Sequence, residues 1–261
     1  MNGRNRPAID FGAAATDYTR HRPGFPAQAF DAFVRRGIGR PGQRVLDLGT
    51  GTGTLARGFA ARGCRVIGID PSPGMIRAAA TLPHAGTGTL AFVRAWAEAA
   101  PIRDGSCDVV CAGQCWHWFD RARAAAQVAR LLAARGRALL AYFTYLGGDG
   151  TPGAVTDDLV LRYHADWPYA HHDGRWSDFL ADFTGAGLVI EHVIDEVVPV
   201  SFTHEAWRGR FRACNGVLVL PPDRAQAFDA ELATLLVRHW PDPFVVEHRI
   251  WAAIARRADQ G

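Results

Sequence analysis

The run Val45-Leu46-Asp47-Leu48-Gly49-Thr50-Gly51-Thr52-Gly53 constrains this chain more than any other stretch. An apolar strand that ends in glycines at alternate positions lets a ligand approach its backbone, because no Cβ stands in the way. The chain then reads as a helix, Thr54–Ala61, and a second strand over residues 64–69 that ends at Asp70-Pro71. Strand, glycine turn, helix and strand within about 25 residues make a βαβ unit.

The alternation continues with a helix over residues 73–82, strands at Thr89–Arg94 and 107–112, a helix over 121–133 and a strand over 137–145. Repeated βα units predict a doubly wound α/β fold with a mostly parallel sheet. Upstream, residues 25–36 place Phe25, Ala29, Phe30 and Phe33 at helical spacing. From 147 to about 182 the pattern lapses into Gly, Pro, His and Trp with one helix-like stretch, 155–166, which suits a substrate-facing insertion. A β-branched run over Leu188–Phe202, helices over 205–214 and 223–239, and a last strand over 245–255 complete the pattern. The expected organisation is one domain over 1–261, with cap helices in 1–40, a ligand-binding core in 41–146, and substrate-side insertions at 147–187 and 203–242.

Composition narrows the chemistry. All 29 basic residues are arginine, so no lysine Schiff base or phosphate-loop lysine exists. They are scattered, nearly balanced by 26 acidic residues, and form no basic block, which argues against a nucleic-acid partner. A hydrophobic content of 48% excludes disorder, and no window approaches the ~20 apolar residues of a membrane span. Five cysteines without a CxxC pair suggest reduced thiols and a cytoplasmic protein. No metal is expected: Cys107, Cys111 and Cys115 are spaced by four where a strand does not make them converge, and His171-His172-Asp173 reads as a solvated loop.

Two cofactor types could use the glycine turn, with Asp70 accepting the hydroxyls of a ribose. A dinucleotide would want a third glycine where Thr54 stands, and Asp47 would repel its pyrophosphate. A carboxylate beside an ammonium or sulfonium group stabilises it instead.

DLGTGTG (47–53) followed by GIDPSPGM (68–75) resembles the class I S-adenosylmethionine (SAM) dependent methyltransferases. FGAAATDYTRHRPGFP (11–26) is similar to the N-terminal segment of small-molecule methyltransferases related to trans-aconitate methyltransferase, and DVVCAGQCWHWFD (108–120) resembles their fourth strand and its aromatic tail. The matching motifs cover roughly the first 145 residues. The resemblance implies a seven-stranded Rossmann-like sheet with its last strand antiparallel, helices on both faces and a substrate lid. It also implies that Gly49, Gly51 and the backbone around Thr50 line the methionine part of SAM, with Tyr18 and Arg22 near its carboxylate; Asp47, read from its charge, is expected in the same cofactor site. Asp70 would take the ribose hydroxyls, Pro71 and Met75 would flank the adenine, and Ala97, Glu98 and Gln114 would complete the cofactor site. The related sequences often carry Asp-Ala where Trp96-Ala97-Glu98 stands here, so the usual carboxylate on the adenine amino group is replaced.

The expected activity is methyl transfer to a small aromatic or amphipathic, natural-product-like acceptor at N or O. Alternatives are C-methylation of an electron-rich ring such as an indole, O-methylation of a carboxylate, or a SAM-binding protein without catalysis. His117 is the expected proton acceptor, with Tyr18 as a second candidate, since an imidazole titrates near neutral pH. Phe11, Trp116, Trp118, Phe119 and Tyr145 are expected on the acceptor wall, and Arg208 and Arg212, one helical turn apart, would hold an anionic acceptor. The small acceptor is the one partner expected, for a monomer or a homo-oligomer.

Overall fold

In a computed structural model of the chain, residues 20, 21 and 23–258 are described below. Seven strands form one sheet: β1 (Arg44–Leu48), β2 (Arg65–Asp70), β3 (Thr89–Arg94), β4 (Cys107–Gly113), β5 (Leu132–Tyr145), β6 (Leu188–Phe202) and β7 (Phe244–Arg257). Their order is β3-β2-β1-β4-β5-β7-β6. β1 to β5 are parallel, and β7 runs antiparallel between β5 and β6. The order reverses between β1 and β4, where a doubly wound sheet opens a crevice at the carboxyl ends of its strands.

Alternation along the strands divides the apolar residues between two faces. Val45 packs with Phe33 and Phe59 under α1 (Ala27–Arg35) and α2 (Thr54–Ala61), whereas Leu46 and Leu48 face Trp116, Val128 and Leu131. α3 (Pro73–Thr81) follows β2, and α4 (Arg121–Leu131) covers the second face. A third cluster lies beyond the sheet, where α5 (Pro152–Tyr163), α7 (His204–Arg212) and α9 (Pro222–His239) enclose Trp207, Phe211, Phe228 and Leu232. The stretches 147–187 and 203–242 thus come together in space.

The structure departs from the sequence pattern in places. β5 begins at Leu132 rather than 137, pairing Leu132 with Cys107 ahead of a register shift. α5 begins at Pro152, because Thr151 caps it by accepting from the Ala154 N–H and proline suits a first turn. Two short helices, α6 (Leu180–Gly185) and α8 (Asn215–Leu218), lie where no periodicity marked them.

His248 on β7 is wholly buried between Phe143 and Phe202, donating Nδ1–H to the Val246 carbonyl while Nε2 has no partner. Burial, reinforced by the Arg210 charge, lowers its pKa to about 3. An unfolded histidine binds a proton near pH 6.5, so stability is complete above that pH and is lost as pH falls toward 3. The wild-type protein is expected to lose about 3 kcal/mol from this group between pH 6.5 and 4. Denaturant unfolding of His248→Phe should show a shallower slope over that window; equal slopes would refute the assignment.

Candidate functional site

The carboxyl ends of β1, β2, β4 and β5 open into a cavity of about 830 Å³. At one end the glycine turn forms its floor. Gly49 and Gly51 have φ of +60° and +55°, a conformation that favours glycine. The two are glycine for different reasons. A Cβ on Gly49 would meet Phe119 Cζ at 2.8 Å and Cys115 Sγ at 3.0 Å, whereas a Cβ on Gly51 would find nothing within 4 Å among the described residues. Gly51 lines the cavity, so a side chain there would occupy ligand space rather than disturb the core.

Asp70, at the end of β2, turns back onto this loop. Its Oδ2 accepts from the Gly51 N–H at 3.0 Å and its Oδ1 from the Ser72 N–H at 2.9 Å. Those amides hold the carboxylate in one orientation while its remaining lone pairs face the cavity. Burial raises its pKa, and the two N–H groups oppose that rise. The Thr50 N–H donates to the Ile69 carbonyl at 2.9 Å, tying the turn to the neighbouring strand. Thr50, Pro71, Met75, Ala97, Glu98 and Gln114 also line this end. Glu98 is anchored by the Asp120 N–H, and Gln114 sits at a positive φ of 59°, a strained position of the kind that gathers at functional sites.

Asp47 is placed differently from its expected role. It is 2% exposed and lies behind the turn, accepting from Thr50 Oγ1 at 2.6 Å and from Cys111 Sγ at 3.5 Å. Burial raises its pKa to about 6. The carboxylate therefore bolts the glycine turn from below and does not line the cavity.

At the far end His117, Trp118, Tyr142, Tyr169 and Trp176 form an aromatic lobe, and Phe119 reaches back against Gly49 of the turn. His117 Nδ1 is 3.0 Å from the Tyr142 hydroxyl, and both rings stack on Trp176. Tyr145 also lines the lobe; its hydroxyl donates to Asp157 Oδ1, while Asp157 Oδ2 accepts from the His171 N–H at 2.7 Å.

Three expected acceptor contacts lie elsewhere. Trp116 is wholly buried, edge-on to Phe183, with its indole N–H donated to Asp182 at 2.9 Å; it is core, not wall. Arg208 and Arg212 both pair with Asp229, and Arg212 also with Glu205, so the face they share points away from the cavity. Arg210, on the other side of α7, lines the lobe over the Tyr145 ring. Two positions onward along a helix is a rotation of about 200°, which the i, i+4 pairing concealed. Tyr142, Asp157, His172 and Trp176 were also outside the expected site; the His171-His172-Asp173 motif was visible, but not which ring faces inward. Phe11, Tyr18 and Arg22 lie outside the described residues. Among the described residues, no group of three His, Cys, Asp or Glu side chains is arranged to hold a metal ion, and no helix is long and apolar enough to cross a membrane.

Residues 46–140 match the family model described as a methyltransferase domain. An uncharacterized methyltransferase of Mycobacterium tuberculosis (strain ATCC 25618 / H37Rv) is 34% identical over 194 residues, 68% of this chain and 74% of that protein. Among solved structures, a candidate type II methyltransferase from Anaeromyxobacter dehalogenans superimposes with a TM-score of 0.64 at 23% identity, over 90% of this chain and 97% of that one. Phosphoethanolamine N-methyltransferase 2 of Haemonchus contortus, solved with phosphomonomethylethanolamine and S-adenosylhomocysteine, gives 0.55 at 17% identity, over 98% of this chain and 61% of that one. The chain belongs to the class I SAM-dependent methyltransferases, as the glycine turn, the strand order and these relatives together require.

Proposed function

We propose that the protein binds SAM across the glycine turn and Asp70 and transfers its methyl group to a small planar acceptor held in the aromatic lobe. The observation that carries this reading is one continuous cavity joining an amide-anchored carboxylate and a glycine turn to a wall of stacked rings. When bound, SAM supplies a methyl group on a sulfonium centre, open to in-line displacement.

The residues present fit that cofactor. Asp70 would accept the ribose hydroxyls, Pro71 and Met75 would face the adenine, and Gly51 leaves room beside its backbone for the methionine part. The lobe's contribution is alignment and exclusion of water, because displacement at carbon needs little covalent help from a protein. Its flat walls suit an aromatic or amphipathic acceptor.

Calorimetric titration with S-adenosylhomocysteine should show binding, and titration with NADH should show none. A screen for radiolabelled methyl transfer to aromatic amines, phenols, indoles and carboxylates should then identify the acceptor atom. NADH binding without S-adenosylhomocysteine binding would overturn the reading. Cofactor binding with no transfer to any acceptor would favour a non-catalytic SAM-binding role.

A further inference from the structure

Where the cavity meets the end of β5, α5 and α8, its polar groups are fixed by bonds to one another. Asp157 on α5 is buried, and each of its oxygens accepts one hydrogen, Oδ1 from the Tyr145 hydroxyl and Oδ2 from the His171 N–H at 2.7 Å. A buried carboxylate held by two neutral donors is costly, and such groups gather where a protein binds or reacts. Burial, together with the Asp157 charge, pushes the Tyr145 phenol well above its ordinary pKa, so the phenol keeps its proton and is the donor of the pair. With that proton committed to Asp157, its oxygen can only accept from anything else. Among the described residues no group donates to this oxygen, and Tyr145 and Asp157 both line the cavity. Trp207 and Phe211 pack on the ring and fix its plane.

Asn215, the first residue of α8, offers the opposite group. Its Oδ1 accepts from the Trp167 indole N–H at 3.0 Å, and an indole N–H can only donate, so the amide NH₂ is turned the other way. Asn215 lines the same end of the cavity: Phe211, whose ring lies against Tyr145, accepts the Cys214 N–H at 2.9 Å, and Asn215 follows directly.

We propose that Tyr145 and Asn215 recognise a neutral group of the methyl-accepting molecule that both donates and accepts a hydrogen bond, a carboxamide being the type, and that Asp157 positions the phenol for it. The proposal rests on the methyl-transfer reading and adds a polar anchor to its planar acceptor. The N–H of such a group meets the Tyr145 oxygen and its carbonyl meets the Asn215 amide. An ester or an ionised carboxylate has no proton to give, so it leaves the phenol oxygen unsatisfied, and sites built to hydrogen-bond a ligand reject analogues that do so.

The test is calorimetric titration of protein saturated with S-adenosylhomocysteine, using 2-naphthamide and methyl 2-naphthoate, which share the rings and the carbonyl and differ in the N–H donor. The amide should bind about tenfold more tightly. Equal affinities, or no binding of the amide, would overturn the proposal. Asp157→Asn separates positioning from mere support. The Asn oxygen must stay on the His171 N–H, so its NH₂ meets the phenol oxygen and turns the Tyr145 proton into the cavity; the preference for the amide should vanish or reverse. A preference that persists in this variant would take the positioning role from Asp157. Tyr145→Phe should bring the two ligands within about twofold of each other, and an intact preference there would overturn the proposal even if Asp157→Asn does not fold. Asn215→Asp should weaken both ligands, because both present a carbonyl to that position, and unchanged affinities would remove Asn215 from the pair. Should S-adenosylhomocysteine fail to bind while the protein alone still prefers the amide, the methyl-transfer reading falls and the recognition pair stands.

Discussion

Gly51→Val is expected to abolish S-adenosylhomocysteine binding while leaving a folded protein. With φ at +55° a β-branched residue is strained by about 1–3 kcal/mol, which the fold can bear. Among the described residues no neighbour lies within 4 Å of the added Cβ, so the branches extend into the cavity instead of the core. Loss of affinity should exceed 100-fold, or about 2.7 kcal/mol. Asp70→Ala should weaken binding by about 1.5–3 kcal/mol, through lost hydrogen bonds to the ribose and two loop amides left without their acceptor. Gly49→Ala is the contrasting control: its Cβ would collide with Phe119 and Cys115, so its main effect should be on stability. Calorimetry beside thermal unfolding separates these outcomes. Normal affinity in Gly51→Val would place the cofactor elsewhere.

Trp116→Ala should cost about 3–5 kcal/mol of folding stability, a large fraction of what a domain possesses. The indole is wholly enclosed against Phe119 and Phe183, and its removal leaves a cavity and takes the indole donor from Asp182 Oδ2, which keeps its longer pairing with Arg121. Trp116→Phe keeps most of the volume and loses the hydrogen bond, so about 1–2 kcal/mol is expected. Urea unfolding measures both. A Trp116→Ala protein as stable as the wild type, with impaired acceptor binding, would return this residue to the cavity wall.

These two experiments fall on opposite sides of what could be read from the chain. Cofactor-side features were legible because they are local: within residues 44–70 the strand, turn, helix and next strand are consecutive, and the glycines and Asp70 meet through backbone hydrogen bonds between neighbouring strands. β3 and β6 were legible to the residue for a related reason: their extended character is local, most plainly in β6, whose run of valines and isoleucines favours a strand. The start of β5 was not, because Leu132 to Gly136 reads as a helix end and a break, and only pairing with β4 makes it a strand.

The acceptor side was decided by tertiary structure. Its wall is assembled from β4, β5, the 147–187 stretch and α7, which are far apart in sequence. Which of several adjacent aromatic or basic side chains faces the cavity depends on what packs behind them. Phe183 and Asp182, on a helix without a periodic signature, draw Trp116 into the core and leave His117 and Trp118 outside. Asp229, some twenty residues beyond α7, claims Arg208 and Arg212 and leaves Arg210 to the lobe. Asp47 is the instructive exception on the cofactor side: its position in the motif is local, but its burial under Cys111 of β4 turns an expected ligand contact into a support for the turn. A sequence specifies its short-range backbone geometry directly, whereas the direction of a side chain in an assembled wall is a property of the partners that close around it.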